Sequence, residues 1–147
     1  MLLGAESAVV QAQPLARITG LGIGQEKGHR YSKKPYRGDG LTDVFMQLFE
    51  SQDTSNNKIK TVYADLNRES FFAKEWGVPY TRYNGRFIED FQIEHPVDCF
   101  GDLGAALAPV LIGLAAIASS KNDAGASFLI WCSSDSEGRG AVTVICA

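Results

Sequence analysis

The stretch Val97–Ser120, VDCFGDLGAALAPVLIGLAAIASS, decides what kind of fold this chain makes. From Leu103 to Ser120 it runs 18 residues without a charged side chain. That length stands at the threshold for a membrane-spanning helix. Three features argue against a span. The run is rich in Gly and Ala, which bring little transfer energy. Pro109 lies inside it, and no Trp, Tyr or cluster of Lys and Arg flanks it as an interfacial anchor. A helix apolar on all sides that leads into two strand-like segments reads as one packed inside a protein. Asp98 and Asp102 precede the run, and an acid at a helix N-terminus reads first as a cap for free N–H groups.

Working outward, Ala126–Ser134 and Ala141–Ala147 are apolar and rich in β-branched residues, and DSEGRG joins them as a turn. On the other side, Gly85–His95 reads as extended. Arg68–Tyr83 is rich in aromatics and reads as a helix interrupted near Gly77 and Pro79. Ile59–Leu66 alternates and predicts a strand. Leu41, Val44, Phe45, Leu48 and Phe49 fall at i, i+3, i+4, i+7 and i+8, the spacing of an amphipathic helix. Leu15–Gly22 alternates as a strand, and Ser7–Gln13, ended by Pro14, predicts another. The expected order is β-β-α-β-α-β-α-β-β. It implies an α/β fold with helices packed against a mixed sheet, as one domain over residues 1–147.

With 45% hydrophobic and 21% charged residues the composition is that of a globular chain, and its net charge of −3 argues against nucleic acid as a partner. Basic residues concentrate in Lys27–Arg37, KGHRYSKKPYR. That run reads as a solvated, mobile loop, with contact to an acidic partner as its functional alternative. The three cysteines, Cys99, Cys132 and Cys146, form no CxxC pair, so no disulfide framework or zinc site is expected and a reducing cytoplasm fits. The opening MLLGAESAVV lacks a basic region and carries Glu6, which does not read as a secretory leader. Gly20, Gly22 and Gly24 have the wrong spacing for a dinucleotide fingerprint and read as a glycine-rich turn. No P-loop, HExxH or GxSxG occurs, so neither a cofactor nor a metal is expected. His95, before Pro96, reads as a packed or solvated side chain. Asp65, Glu69, Glu75, Asp98 and Asp102 remain as groups for acid–base work.

The order of segments resembles the C-terminal half of a β-ketoacyl-acyl carrier protein synthase, of the thiolase-like fold. GAESAVVQAQPLARITGLG (residues 4–22) resembles the family's Gly-Glu-Gly-Ala strand followed by its Ala-x-Ile-x-Gly strand. VYADLNRES (62–70) stands where the family has Val-Asn-Ala-His-Gly-Thr-Ser-Thr. VDCFGDLGAALAPVLIGLAAI (97–117) stands where it has Lys-Ser-x-x-Gly-His-x-x-Gly-Ala-Ala-Gly and a buried Ala-rich helix. SSDSEGRGAVTVICA (133–147) resembles its closing hairpin. Asp65 and Asp102 are 37 residues apart, a separation like that between the family's two histidines.

The resemblance implies a thiolase-like half-domain in which Gly101, Gly104, Ala105 and Ala106 let neighbouring elements approach closely. It also places the family's histidines on Asp65 and Asp102 and its lysine on Val97. An ionised aspartate cannot donate a hydrogen bond to a developing oxyanion. The family's nucleophilic cysteine belongs to the other half of the fold, so Cys99 does not replace it. The expectation is therefore a catalytically inert subunit for binding or assembly. It would complete the fold with another copy or another chain through an open apolar face, with an acyl carrier protein as a candidate partner. Two alternatives stand beside it. One is a fragment of a longer 3-oxoacyl-synthase-like protein of fatty acid or polyketide synthesis. The other is a thioester hydrolase or decarboxylase using Asp65 and Asp102, with Asn67, Glu75, His95 and Cys99 as candidates for ligand binding.

Overall fold

In a computed structural model of the chain, residues 14–50, 58–65, 70–101, 103–121 and 126–147 are described. The alternating, β-branched IKTVYA forms β2 (Ile59–Ala64), and SFLIWCS forms β4 (Ser127–Ser133). The two pair in parallel, with Tyr63 opposite Ile130 and Ala64 opposite Trp131. β3 (Phe87–Glu94) lies parallel on the other side of β2. β5 (Gly138–Cys146) returns antiparallel to β4, and β1 (Ala16–Gln25) is antiparallel to β5. The sheet order is β1-β5-β4-β2-β3. Phe128, Leu129, Ile130 and Trp131 of β4 are all at most 2% exposed, so both faces of the central strand are covered.

Two helical layers provide that cover. α1 (Asp39–Glu50) and α2 (Ser70–Tyr83) lie on one face, where Leu41, Phe45, Leu48, Trp76 and Trp131 share a core. All five positions of the amphipathic pattern in α1 are buried. α4 (Leu107–Ser119) lies on the other face, where Leu107, Leu111 and Ala115 pack with Phe128, Ile130 and Val144. A short α3 (Val97–Phe100) and two 3-10 turns, Asn84–Arg86 and Gly104–Ala106, complete the described residues. The architecture is mixed α/β, as expected. The element order differs from expectation between β3 and β4, where two helices, α3 and α4, stand in place of one. The expected strand Ser7–Gln13 lies outside the described residues.

Three local readings are corrected. Gly20, Gly22 and Gly24 lie in β1 and form no turn. Gly22 and Gly24 face α1, and a Cβ there would come within 2.5 Å of the Val44 carbonyl oxygen and 2.7 Å of that of Gly40. The missing side chains let the helix backbone rest on the strand. Second, α2 continues through Gly77 and Pro79. Trp76 stacks on Trp131 at 6.1 Å and on Tyr80 at 5.6 Å, and this packing outweighs the proline's lost hydrogen bond.

Third, the opening stretch does not become one long buried helix. α4 starts at Leu107 and spans 13 residues. Leu107, Leu111, Ala115 and Ser119 are buried at every fourth position, whereas Ile117 is 53% exposed. Among the described residues no helix is long and apolar enough to cross a membrane. Gly101 and Gly104 do not serve close packing, because nothing lies within 4 Å of a Cβ built on either. They hold φ at +80° and +52°, which favours glycine, and Ala105 and Ala106 beside them are exposed.

Candidate functional site

Parallel strands direct their carboxyl ends to one edge of the sheet, where ligands of α/β folds commonly bind. Here that edge holds a buried polar cluster. Asp65 directly follows β2, and its N–H continues the ladder by donating to the Trp131 carbonyl at 3.3 Å. Its carboxylate accepts from the Ser133 N–H at 3.3 Å. The Ser133 hydroxyl donates to Glu75 Oε2 at 2.8 Å, so the end of β4 ties Asp65 to α2.

Glu75 is fully buried on α2 and receives the Arg139 Nε–H. Arg139, at the start of β5, also donates through Nη1 to the carbonyls of Ser134 (3.0 Å), Ser136 (2.8 Å) and Gly138 (2.7 Å). One guanidinium thus neutralises Glu75 and fixes the β4–β5 turn. Burial holds the Glu75 carboxyl above its ordinary range, an effect that the attraction of Arg139 and the bonds from Ser133 and Arg139 only partly offset.

The long loop after β1 closes over this cluster. Glu26 is buried; its Oε1 accepts from the Gly28 N–H and its Oε2 from the Gly40 N–H, both at 3.0 Å, pinning the two ends of the loop. A Cβ on Gly28 would lie 2.4 Å from the Pro35 carbonyl oxygen. The Tyr36 ring meets Phe71 edge-on at 5.1 Å, and Gly38, with φ +73°, lies against Val78. The Lys27–Arg37 loop is thus a packed structure, although Lys27, Lys33, Lys34 and Arg37 remain exposed. The Tyr36 hydroxyl is buried without a hydrogen-bond partner among the described residues, and so is Arg139 Nη2. Burial, together with the charges of Glu75 and Glu26, pushes the Tyr36 phenol far above its usual range.

Of the residues singled out from sequence, Asp65 and Glu75 come together here through Ser133. Asn67 and Asp102 lie outside the described residues. Val97 is buried in the core under α4. His95 is exposed, with Nδ1 3.9 Å from the Asp98 carboxylate, and Cys99 is exposed on α3. Neither belongs to the cluster. Cys132 does lie beside Asp65, but burial and then the Asp65 charge push its thiol up to about 12, which keeps it protonated at neutral pH.

Sequence reading missed Glu26, Tyr36, Ser133 and Arg139. A faint signal existed for Arg139, a lone cation between two glycines at the head of an apolar strand. Among the described residues no group of three or more His, Cys, Asp and Glu is placed to hold a metal ion. Chemically, the cluster is a set of satisfied carboxylates and a protonated thiol, well suited to tying α2, the hairpin and the loop together. No protein-family model matches the chain, and no curated protein matches it.

Proposed function

We propose that this chain is a ketosynthase-like half-domain that works by binding and assembly, with no condensation chemistry of its own. The observation that carries this reading is the uncovered end of the sheet. Ile18, Leu21 and Ile23 of β1 pair with Val144, Val142 and Gly140 of β5 and so share the face on which α4 lies. α4 packs on β4 and β5. Ile18, Leu21 and Ile23 stay 42%, 61% and 67% exposed, and Leu15 adds a further 57% exposed side chain. A run of large apolar side chains left open in this way marks an interface. It is the open face that half of a two-layered fold would present to another copy or another chain.

The polar cluster supports the inert part of the reading. At the position of the family's first histidine stands Asp65, whose carboxylate accepts a backbone N–H and offers no donor. Glu75 is engaged by Arg139 and Ser133, and the neighbouring thiol of Cys132 is held protonated. An acyl carrier protein is the partner class that the resemblance adds.

The test is the mass of the purified chain by light scattering behind size exclusion. A dimer or larger species is expected, shifting to monomer in Leu21→Lys/Ile23→Lys. A parent chain that stays monomeric at micromolar concentration overturns the proposal.

A further inference from the structure

A different surface, on the opposite side of the sheet from the open face of β1, carries an independent inference. Along the solvent side of α2, Lys74, Gly77, Val78, Thr81 and Arg82 follow at i, i+3, i+4, i+7 and i+8, so they form one stripe. The Lys27–Arg37 loop rises beside this stripe and contributes Tyr36 and Arg37. Between helix and loop runs an open groove of about 520 Å³. Its floor is apolar, made by Val78 and the Tyr36 ring. Gly77 leaves a notch, since nothing lies within 4 Å of a Cβ built there. Its rim carries Arg37, Lys74 and Arg82, all exposed, and among the described residues no carboxylate lines it. None of the three cations makes an ion pair among the described residues.

We propose that this groove is a docking site for an acidic amphipathic helix of a partner protein. Three cations without an ion pair among the described residues, gathered on a chain of net charge −3, form a local field opposite to that of the whole molecule. A partner must therefore bring carboxylates to the rim. It must also bring an apolar side chain for the floor, which a uniformly charged strand would not supply. Lys74 and Arg82 are eight residues apart on α2, roughly 12 Å along the axis. That matches two turns of a partner helix laid alongside, with acids at i and i+7 or i+8 facing the two cations and an apolar residue between them over Val78 and Gly77. Nucleic acid is disfavoured, because three cations on an acidic chain offer few phosphate contacts.

The experiment uses the full chain and a synthetic helical peptide with leucines along one face, flanked by glutamates at that spacing. Its control carries glutamine in place of each glutamate. Fluorescence anisotropy should show the acidic peptide bound at least about tenfold more tightly than the control, with binding weakened several-fold at about 0.3 M salt. Lys74→Glu/Arg82→Glu should weaken it by about tenfold or more, and Lys74→Gln/Arg82→Gln by less. Both positions are exposed, so folding should persist, as circular dichroism can check. Absence of binding, equal binding of the two peptides, or an unchanged affinity in the glutamate variant overturns the proposal. Tighter binding of a single-stranded oligonucleotide or of phosphatidylserine vesicles, with the same dependence on Lys74 and Arg82, overturns the assignment to a protein helix. The α2 variants should leave the light-scattering mass unchanged, so failure here is separable from failure of the β1 interface.

Discussion

Arg139 donates to the carboxylate of Glu75 across the contact between β5 and α2, and neither side chain is exposed to solvent. The pair joins the end of the hairpin to the helix that roofs it. Removing a charge from water is expensive, so a buried pair contributes little net stability while its separation is strongly destabilising. Arg139→Met should therefore destabilise the chain by about 3–5 kcal/mol, and Glu75→Leu by a similar amount. The double variant Glu75→Leu/Arg139→Met should recover a large part of that loss. It should remain below the parent, because the three turn carbonyls that Arg139 serves lose their donor. Urea denaturation of the four proteins gives the coupling directly. Additive losses would show that the two groups act separately.

The same carboxyl sets a pH dependence. Glu75 titrates above its ordinary value of 4.5 in the folded chain, with burial as the leading cause. Between that value and the raised one, the folded state holds a proton that the unfolded state has released. The contribution of Glu75 to stability is thus fully present below about 4.5 and is lost as pH rises through the folded value. The difference in unfolding free energy between parent and Glu75→Gln should move against the parent over that window. A difference that moves the other way would mean that Arg139 outweighs burial.

Thiol reactivity should separate the cysteines. Cys99 is exposed and should be alkylated readily in the native protein. The Cys132 thiol is pushed up from 9.0 to about 12, leaving about a thousandfold less thiolate near neutral pH. Asp65→Asn removes the second cause of that shift and should speed labelling of Cys132 modestly, while burial keeps it well behind Cys99. Iodoacetamide labelling read by mass spectrometry measures both rates. Rapid native labelling of Cys132 would reopen a nucleophilic role beside Asp65.

Two glycine-to-alanine changes should have opposite signs. In Gly22→Ala the new methyl meets the Val44 carbonyl oxygen at 2.5 Å, so α1 must lift from β1 at a loss of about 1–3 kcal/mol. In Gly77→Ala the methyl meets nothing within 4 Å inside α2, and removing a mid-helix glycine should add up to about 1 kcal/mol. Thermal denaturation of the two variants decides it. Stabilisation by Gly22→Ala would contradict the close contact of helix and strand.

Much of the architecture was legible because periodicity reports burial. The pattern of Leu41, Val44, Phe45, Leu48 and Phe49 matches the buried face of α1, and the strand expected over Ile59–Leu66 appears as β2, Ile59–Ala64. The candidate site was legible only in part. Asp65 and Glu75 stood out as carboxylates, but their common partner Ser133 lies 68 and 58 residues away. Arg139 looked like a turn residue, since nothing local marks a cation that will be buried against a helix 64 residues earlier.

Legible in the sequence alone were the mixed α/β class, the buried face of α1 and the apolar segments that become β2, β4 and β5. Those follow from local spacing, which fixes which side of an element avoids water. Tertiary structure alone decided that Gly22 and Gly24 are contact points, that α2 runs through Pro79, and that Glu26, Glu75 and Arg139 are buried together. It also decided that Ile18, Leu21 and Ile23 remain open to solvent. These depend on which elements meet across the sheet, and that meeting is set by the summed packing of both cores, which no local window of sequence contains.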